Sequence, residues 1–150
     1  MNDEVTDLYQ EVILDHSRNP RNFGPAEGAD LSAKGNNPLC GDRVTIFLKL
    51  NGDRISEVKF DARGCAISLA SASMMTEMIK GKSIEEAKTL FRKFLALVTG
   101  ENEIGAGPDL ADLKTLSGVS RFPTRIKCAT LSWHAMVGAL NGIDEEIKTE

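Results

Sequence analysis

The dipeptide Asn51-Gly52, set between two alternating runs, limits the possible folds more than any other feature. Ahead of it Val44, Ile46, Leu48 and Leu50 fall on one side of an extended chain. Behind it Val58, Phe60 and Ala62 do the same. A period of two belongs to half-buried strands, and Asn-Gly accepts the positive φ that a two-residue hairpin turn requires. The pattern predicts an antiparallel hairpin with one apolar face. Residues 30–63 read as β, with a further short strand over 31–36 broken by Asn37-Pro38.

Helical patterns flank this region. Val5, Leu8 and Val12, with Tyr9 and Ile13, recur at three- and four-residue spacing and predict a helix over 4–17. It should stop ahead of Asn19-Pro20, because proline disfavours helical geometry in the residue before it. Residues 19–28 hold Pro20, Gly24, Pro25 and Gly28 and read as a loop. A second helix is expected over 66–80, with Ile67, Ala70, Met74 and Met78 recurring and Met74, Met75 and Met78 as core filler. Ser83-Ile84-Glu85-Glu86 is a capping box, and Ile84, Ala87, Phe91, Phe94, Leu95 and Val98 form one stripe behind it. Residues 100–108 suggest a mobile Gly-rich loop, 109–116 a short helix, and 123–140 a final helix closed by Asn141-Gly142, with a frayed acidic tail. Strands gathered early and helices late predict one α+β domain over 1–150.

Composition excludes several classes of function. Apolar residues make up 41% and charged residues 27%, so the chain should fold. The longest apolar run, Phe94 to Val98, is far short of a membrane span. The opening MNDEVTDLYQ lacks the basic and apolar regions of a secretory signal, which points to the cytoplasm. A net charge of −4 and few aromatics argue against nucleic acid as a partner. No Gly-rich phosphate loop, Ser/His/Asp pattern or HExxH motif is present.

The chemistry rests on three cysteines. Their odd number and a reducing compartment disfavour disulfides. Cys40 lies in Asn37-Pro38-Leu39-Cys40-Gly41-Asp42, a loop ahead of a strand. Cys65 follows Gly64, between the second hairpin strand and a helix, and Cys128 falls in the first turns of the last helix, after Arg125-Ile126-Lys127. The thiolate is the form that attacks and the form that binds metal. A helix N-terminus at Cys65 and basic neighbours at Cys128 favour it. Asp42 stands two residues from Cys40, so an extended backbone would turn both side chains the same way. Three thiolates and one carboxylate suit tetrahedral zinc, or part of the shell of an iron–sulfur cluster. Arg125 and Lys127 are at hand to offset the negative charge. The spacings contain no local zinc-ribbon pattern, and taken alone they equally fit inert thiols. His134, six residues past Cys128, faces away from it on a helix. His16 ends the first helix, where a cation suits the dipole.

The chain resembles the IscU/SufU family of iron–sulfur cluster assembly proteins, and the SufU branch most. The resemblance is carried by Leu8-Tyr9-Gln10-Glu11-Val12-Ile13-Leu14-Asp15-His16, Arg18-Asn19-Pro20-Arg21-Asn22, Asn37-Pro38-Leu39-Cys40-Gly41-Asp42, Gly64-Cys65-Ala66-Ile67-Ser68 and Arg125-Ile126-Lys127-Cys128-Ala129-Thr130-Leu131. It implies the α+β fold of IscU and NifU N-terminal domains, a small antiparallel sheet packed against helices. It also implies a metal site of Cys40, Asp42, Cys65 and Cys128. IscU-type scaffolds carry His directly before the third cysteine, where this chain has Lys127, and the segment around 97–113 is longer here. Both are the SufU pattern. The function so implied is that of a zinc-dependent sulfurtransferase. It accepts persulfide sulfur from a PLP-dependent, SufS-type cysteine desulfurase and passes it toward downstream cluster-assembly proteins. The alternative is a scaffold for a transient [2Fe–2S] cluster. Cys40, on a Pro/Gly-flanked loop, is the expected sulfur acceptor.

Overall fold

A computed structural model describes residues 3–38, 40–100, 108–142 and 147–148. The order is helix α1 (Asp3–Arg18), strands β1 (Leu31–Asn37), β2 (Asp42–Asn51) and β3 (Arg54–Arg63), and helices α2 (Ala66–Ile79) and α3 (Ile84–Thr99). A 3₁₀ helix (Pro108–Arg121), helix α4 (Pro123–Leu140) and strand β4 (Ile147–Lys148) complete it. The sheet order is β3-β2-β1-β4. β1, β2 and β3 form an antiparallel meander, and β4 pairs in parallel with Gly35 and Asn36 of β1.

The hairpin forms where the alternation places it, but its turn is one residue later than expected. Asn51 pairs with Arg54, which leaves Gly52 and Asp53 as the loop. A bulge between Lys49 and Leu50 absorbs the offset, so Leu50 faces Ile55 and is only half-buried. Rows such as Ala33–Ile46–Phe60 and Leu31–Leu48–Val58 form the inward face. α4 packs over β1 and β2, and α2 over β3. All of the large helices therefore lie on one side of the sheet.

α2 departs most from the amphipathic picture. Ser68, Ala70, Ser71, Ala72, Ser73, Met74, Met75, Thr76 and Ile79 are all buried, so α2 is a central helix with neighbours all round. Small residues let the neighbours come close, and each buried hydroxyl needs a partner. Ser71 donates to the Ala129 carbonyl (2.5 Å) and accepts from Trp133 Nε1 (3.2 Å), which ties α2 to α4. Trp133 in turn stacks on Phe94 of α3 at 4.9 Å. Ser73 Oγ lies 2.8 Å from His16 Nδ1 and accepts the Arg21 amide at 2.9 Å. His16 is thus buried against α2 and does not act as an exposed cap of α1.

The Ser83–Glu86 capping box forms with both hydrogen bonds at 3.1 Å, an arrangement worth about 1 kcal/mol. The buried face of α3 is Ala87, Leu90, Phe94, Leu97 and Val98, with Phe91 and Leu95 half-buried beside it. The segment expected as a short α-helix is a 3₁₀ helix that runs through Ser117-Gly118. Leu113, Leu116 and Val119 are buried at three-residue spacing, the period that puts one face of a 3₁₀ helix inward. The loop expected over 100–108 falls almost wholly outside the described residues, as does most of the acidic tail. Ile147 and Lys148, expected to fray, instead add a strand to the sheet edge. Among the described residues no helix is long and apolar enough to cross a membrane.

Candidate metal centre

The three cysteines converge at one end of the sheet. Asn37 and Asp42 are paired across the β1–β2 hairpin, and the turn between them carries Cys40, whose amide donates to the Asn37 carbonyl at 3.3 Å. Gly41, at φ 71°, reverses the chain so that Cys40 folds back over Asp42. The two side chains meet through this turn and not through extended alternation. Cys65 is the N-cap of α2, and its sulfur accepts the Ser68 amide at 3.5 Å. Cys128 is wholly buried in α4.

Asp42 joins the pieces. Its carboxylate, fully buried at the start of β2, accepts the Cys65 amide at 2.9 Å and lies 3.8 Å from Cys65 Sγ. Cys40, Asp42 and Cys128 bring ligand atoms to within 4.8 Å of one another. The Cys128 and Cys40 sulfurs are 3.0 Å apart, a contact and not a bond. Cys65 adjoins this trio through Asp42. Gly64 makes the arrangement possible. A Cβ there would fall 2.9 Å from Asp42 Cγ and 3.0 Å from its Cα, at a φ of 153° that side chains rarely adopt.

The structure groups two sulfurs and a carboxylate, with Cys65 outside the group and adjoining Asp42; such donors suit a thiophilic divalent cation such as zinc. Burial raises the Cys128 thiol well above the usual cysteine range, helped by hydrogen bonds to Cys40 and Asp42 and by the charge of Cys65. That is opposite to what its basic neighbours suggest. A cation among these groups reverses the balance and favours thiolates.

One contributor is not visible as such in the motif. Asn37 is fully buried, and its Nδ2 lies 3.8 Å from Cys128 Sγ, where an amide can donate to sulfur. Its Oδ1 has no hydrogen-bond partner among the described residues. An orphaned buried acceptor is costly, and here it borders the sulfur cluster. Within Asn37-Pro38-Leu39-Cys40-Gly41-Asp42 the only signal is an Asn at the inward register of β1. Arg125 is exposed on the first turn of α4, and Lys127 is half-buried next to Cys128. His134 lies edge-on to Phe91 at 5.1 Å, and burial lowers its pKa.

The class of domain is set by a three-stranded antiparallel meander with helices on one face and a thiol–carboxylate cluster at one end. The chain belongs to the family of the NifU-like N-terminal domain, whose model matches residues 8–129. It is 48% identical over 135 residues to the zinc-dependent sulfurtransferase SufU of Bacillus subtilis, covering 90% of each chain. It is 41% identical over 137 residues to the iron–sulfur cluster assembly scaffold protein IscU of Streptococcus pyogenes, covering 91% of this chain and 85% of that one. A crystal structure from Fervidobacterium islandicum, described as a scaffold protein for the SUF system, superposes with a TM-score of 0.79. It shares 36% identity and covers 87% of this chain and 94% of that one.

Proposed function

We propose that this chain is a zinc-bound sulfur acceptor in iron–sulfur cluster biogenesis. The observation that carries the reading is the contrast within the cluster: Cys40 lies half-exposed on a turn while its neighbour Cys128 is fixed and buried in α4. The ligands are Cys40, Asp42, Cys65 and Cys128, with Arg125 and Lys127 offsetting their negative charge. Zinc, when bound, holds its sulfur ligands as thiolates and neutralises their charge.

Sulfur arrives on a persulfide of a SufS-type cysteine desulfurase. The Cys40 thiolate attacks the outer sulfur. A bond forms between Cys40 Sγ and that sulfur, the donor's S–S bond breaks, and the donor cysteine leaves as a thiolate. No oxidant is consumed. Cys128, Cys65 and Asp42 stay in place because a helix, an N-cap and a strand fix them. The Cys40 turn opens to solvent, so the sulfur can pass on to a downstream cluster-assembly protein. Relatives named for zinc-dependent sulfurtransfer and for cluster assembly support this reading. On this reading the chain works in the cytoplasm.

Metal analysis of the purified chain tests it. Colourless protein with about one zinc per chain that raises the turnover of a cysteine desulfurase is the expected result. Brown protein, or protein that gains visible absorption with iron and sulfide and leaves the desulfurase unaffected, favours a [2Fe–2S] scaffold on the same four side chains.

A further inference from the structure

The helices cover one face of the sheet and leave the other open. That open face is basic, although the chain as a whole carries a net charge of −4. Lys34 of β1, Arg43 and Lys49 of β2, and Lys59 and Arg63 of β3 all lie at outward register, against Glu57 and Asp61. Glu57 is engaged by Lys49 at 3.4 Å and Lys59 at 3.8 Å.

Arg43 and Arg63 are left over. They are direct cross-strand partners, both exposed, and among the described residues neither guanidinium has a hydrogen bond or ion pair. Like charges directly opposite one another destabilise a sheet. Here they flank an open depression of about 380 Å3 lined by Gly41, Arg43, Thr45, Asp61 and Arg63 among others. The pair lies at the same end of the sheet as the sulfur cluster, on the opposite face from the buried Asp42: Arg43 follows Asp42 and stands three residues after Cys40, and Arg63 stands two before Cys65.

We propose that this face, centred on Arg43 and Arg63, is the docking surface for an acidic patch of the sulfur-donating desulfurase. The proposal rests on the function given above. The occupant follows from charge and position. A small anion would need only the arginine pair, whereas the basic residues extend across three strands. A protein seated across these three strands would reach the end of the sheet where the β1–β2 turn carries Cys40. Charges of this kind steer encounter and set register, and two guanidiniums can each grip a carboxylate with two hydrogen bonds.

The test measures the affinity of the zinc-loaded chain for a SufS-type cysteine desulfurase across a salt series, for wild type, R43E/R63E and R43K/R63K. Zinc content and melting temperature establish that each variant is folded and loaded. The expected wild-type affinity weakens as salt rises. R43E/R63E should bind about tenfold or more weakly at low salt and show a flatter salt dependence. R43K/R63K keeps the charge but not the two-pronged grip, so it should keep the wild-type salt dependence and bind with an affinity between wild type and R43E/R63E. At saturating desulfurase R43E/R63E should still take up sulfur, because docking is lost and the acceptor is intact. R43E/R63E that binds like wild type while both take up sulfur overturns the docking surface alone. Wild type that neither binds the desulfurase nor gains sulfur overturns the proposed function, and the docking surface with it.

Discussion

The carboxylate of Asp42 fills the space that a side chain on Gly64 would need. The end of β3 and the start of β2 thereby interlock, and Asp42 is aimed at the Cys65 amide. Gly64→Ala should lose more than about 1 kcal/mol, from the disfavoured φ and from the clash. It should also push the carboxylate out of the cluster. Urea denaturation and zinc per chain read both effects. Wild-type stability with full zinc would contradict this packing.

The fold was legible wherever its causes are local. The strand alternation around Asn51-Gly52 and the Ser83–Glu86 box depend on near neighbours and appear as read, apart from a one-residue shift absorbed by the bulge. Cys40 and Cys65 were legible as candidates because each sits at an element junction, whereas Cys128 lies inside α4 and was legible only through the Arg125–Leu131 segment of the resemblance. What the sequence hid is set by tertiary packing. The burial of Ser71 and Ser73 depends on α4 and α1, and β4 depends on a partner more than a hundred residues away. The 3₁₀ helix has its signal in the three-residue spacing of Leu113, Leu116 and Val119, which an α-helical period of 3.6 does not bring out. The role of Asn37 needed the register of β1 against Asp42 and its distance to Cys128.

Asn37 should tune the metal centre without holding the metal. Asn37→Leu keeps the size of the side chain and removes both the donor to Cys128 and the orphaned oxygen. Loss of such an outer hydrogen bond typically weakens metal binding about 10- to 100-fold. Competition with a chelating dye should show a drop of that order, while the chelated protein should melt no lower than wild type. Unchanged zinc affinity would rule out the contact in the bound form.

His134 should contribute a pH dependence of its own. Burial lowers its pKa in the folded protein. The unfolded chain therefore takes up the proton first, so stability present above about pH 6.5 is lost as pH falls. With metal chelated throughout, the wild-type melting temperature should fall between about pH 7 and 5. His134→Gln should fall less over the same interval, whatever its starting value. Parallel curves would show that His134 does not carry this slope.

Metal and fold should be coupled. Ligands from a turn, a helix N-cap and a helix interior meet only in the folded chain, so binding energy becomes folding energy. Chelation is expected to lower the melting temperature by several degrees, and acid to release the metal as the thiolates protonate. A melting curve unchanged after verified zinc removal would contradict the coupling.

Cys40 and Cys128 should fail differently when truncated. Cys128→Ala removes a rigid buried ligand and should lose most of the zinc. Cys40→Ala leaves Asp42, Cys65 and Cys128, with water able to serve as the fourth ligand, and should keep most of it. The central claim is tested most directly by whole-protein mass after incubation with a cysteine desulfurase and free cysteine. Wild type should gain one sulfur, located on Cys40, and zinc-loaded Cys40→Ala should gain none. Undiminished sulfur uptake by Cys40→Ala, with the persulfide on Cys65 or Cys128, would contradict it.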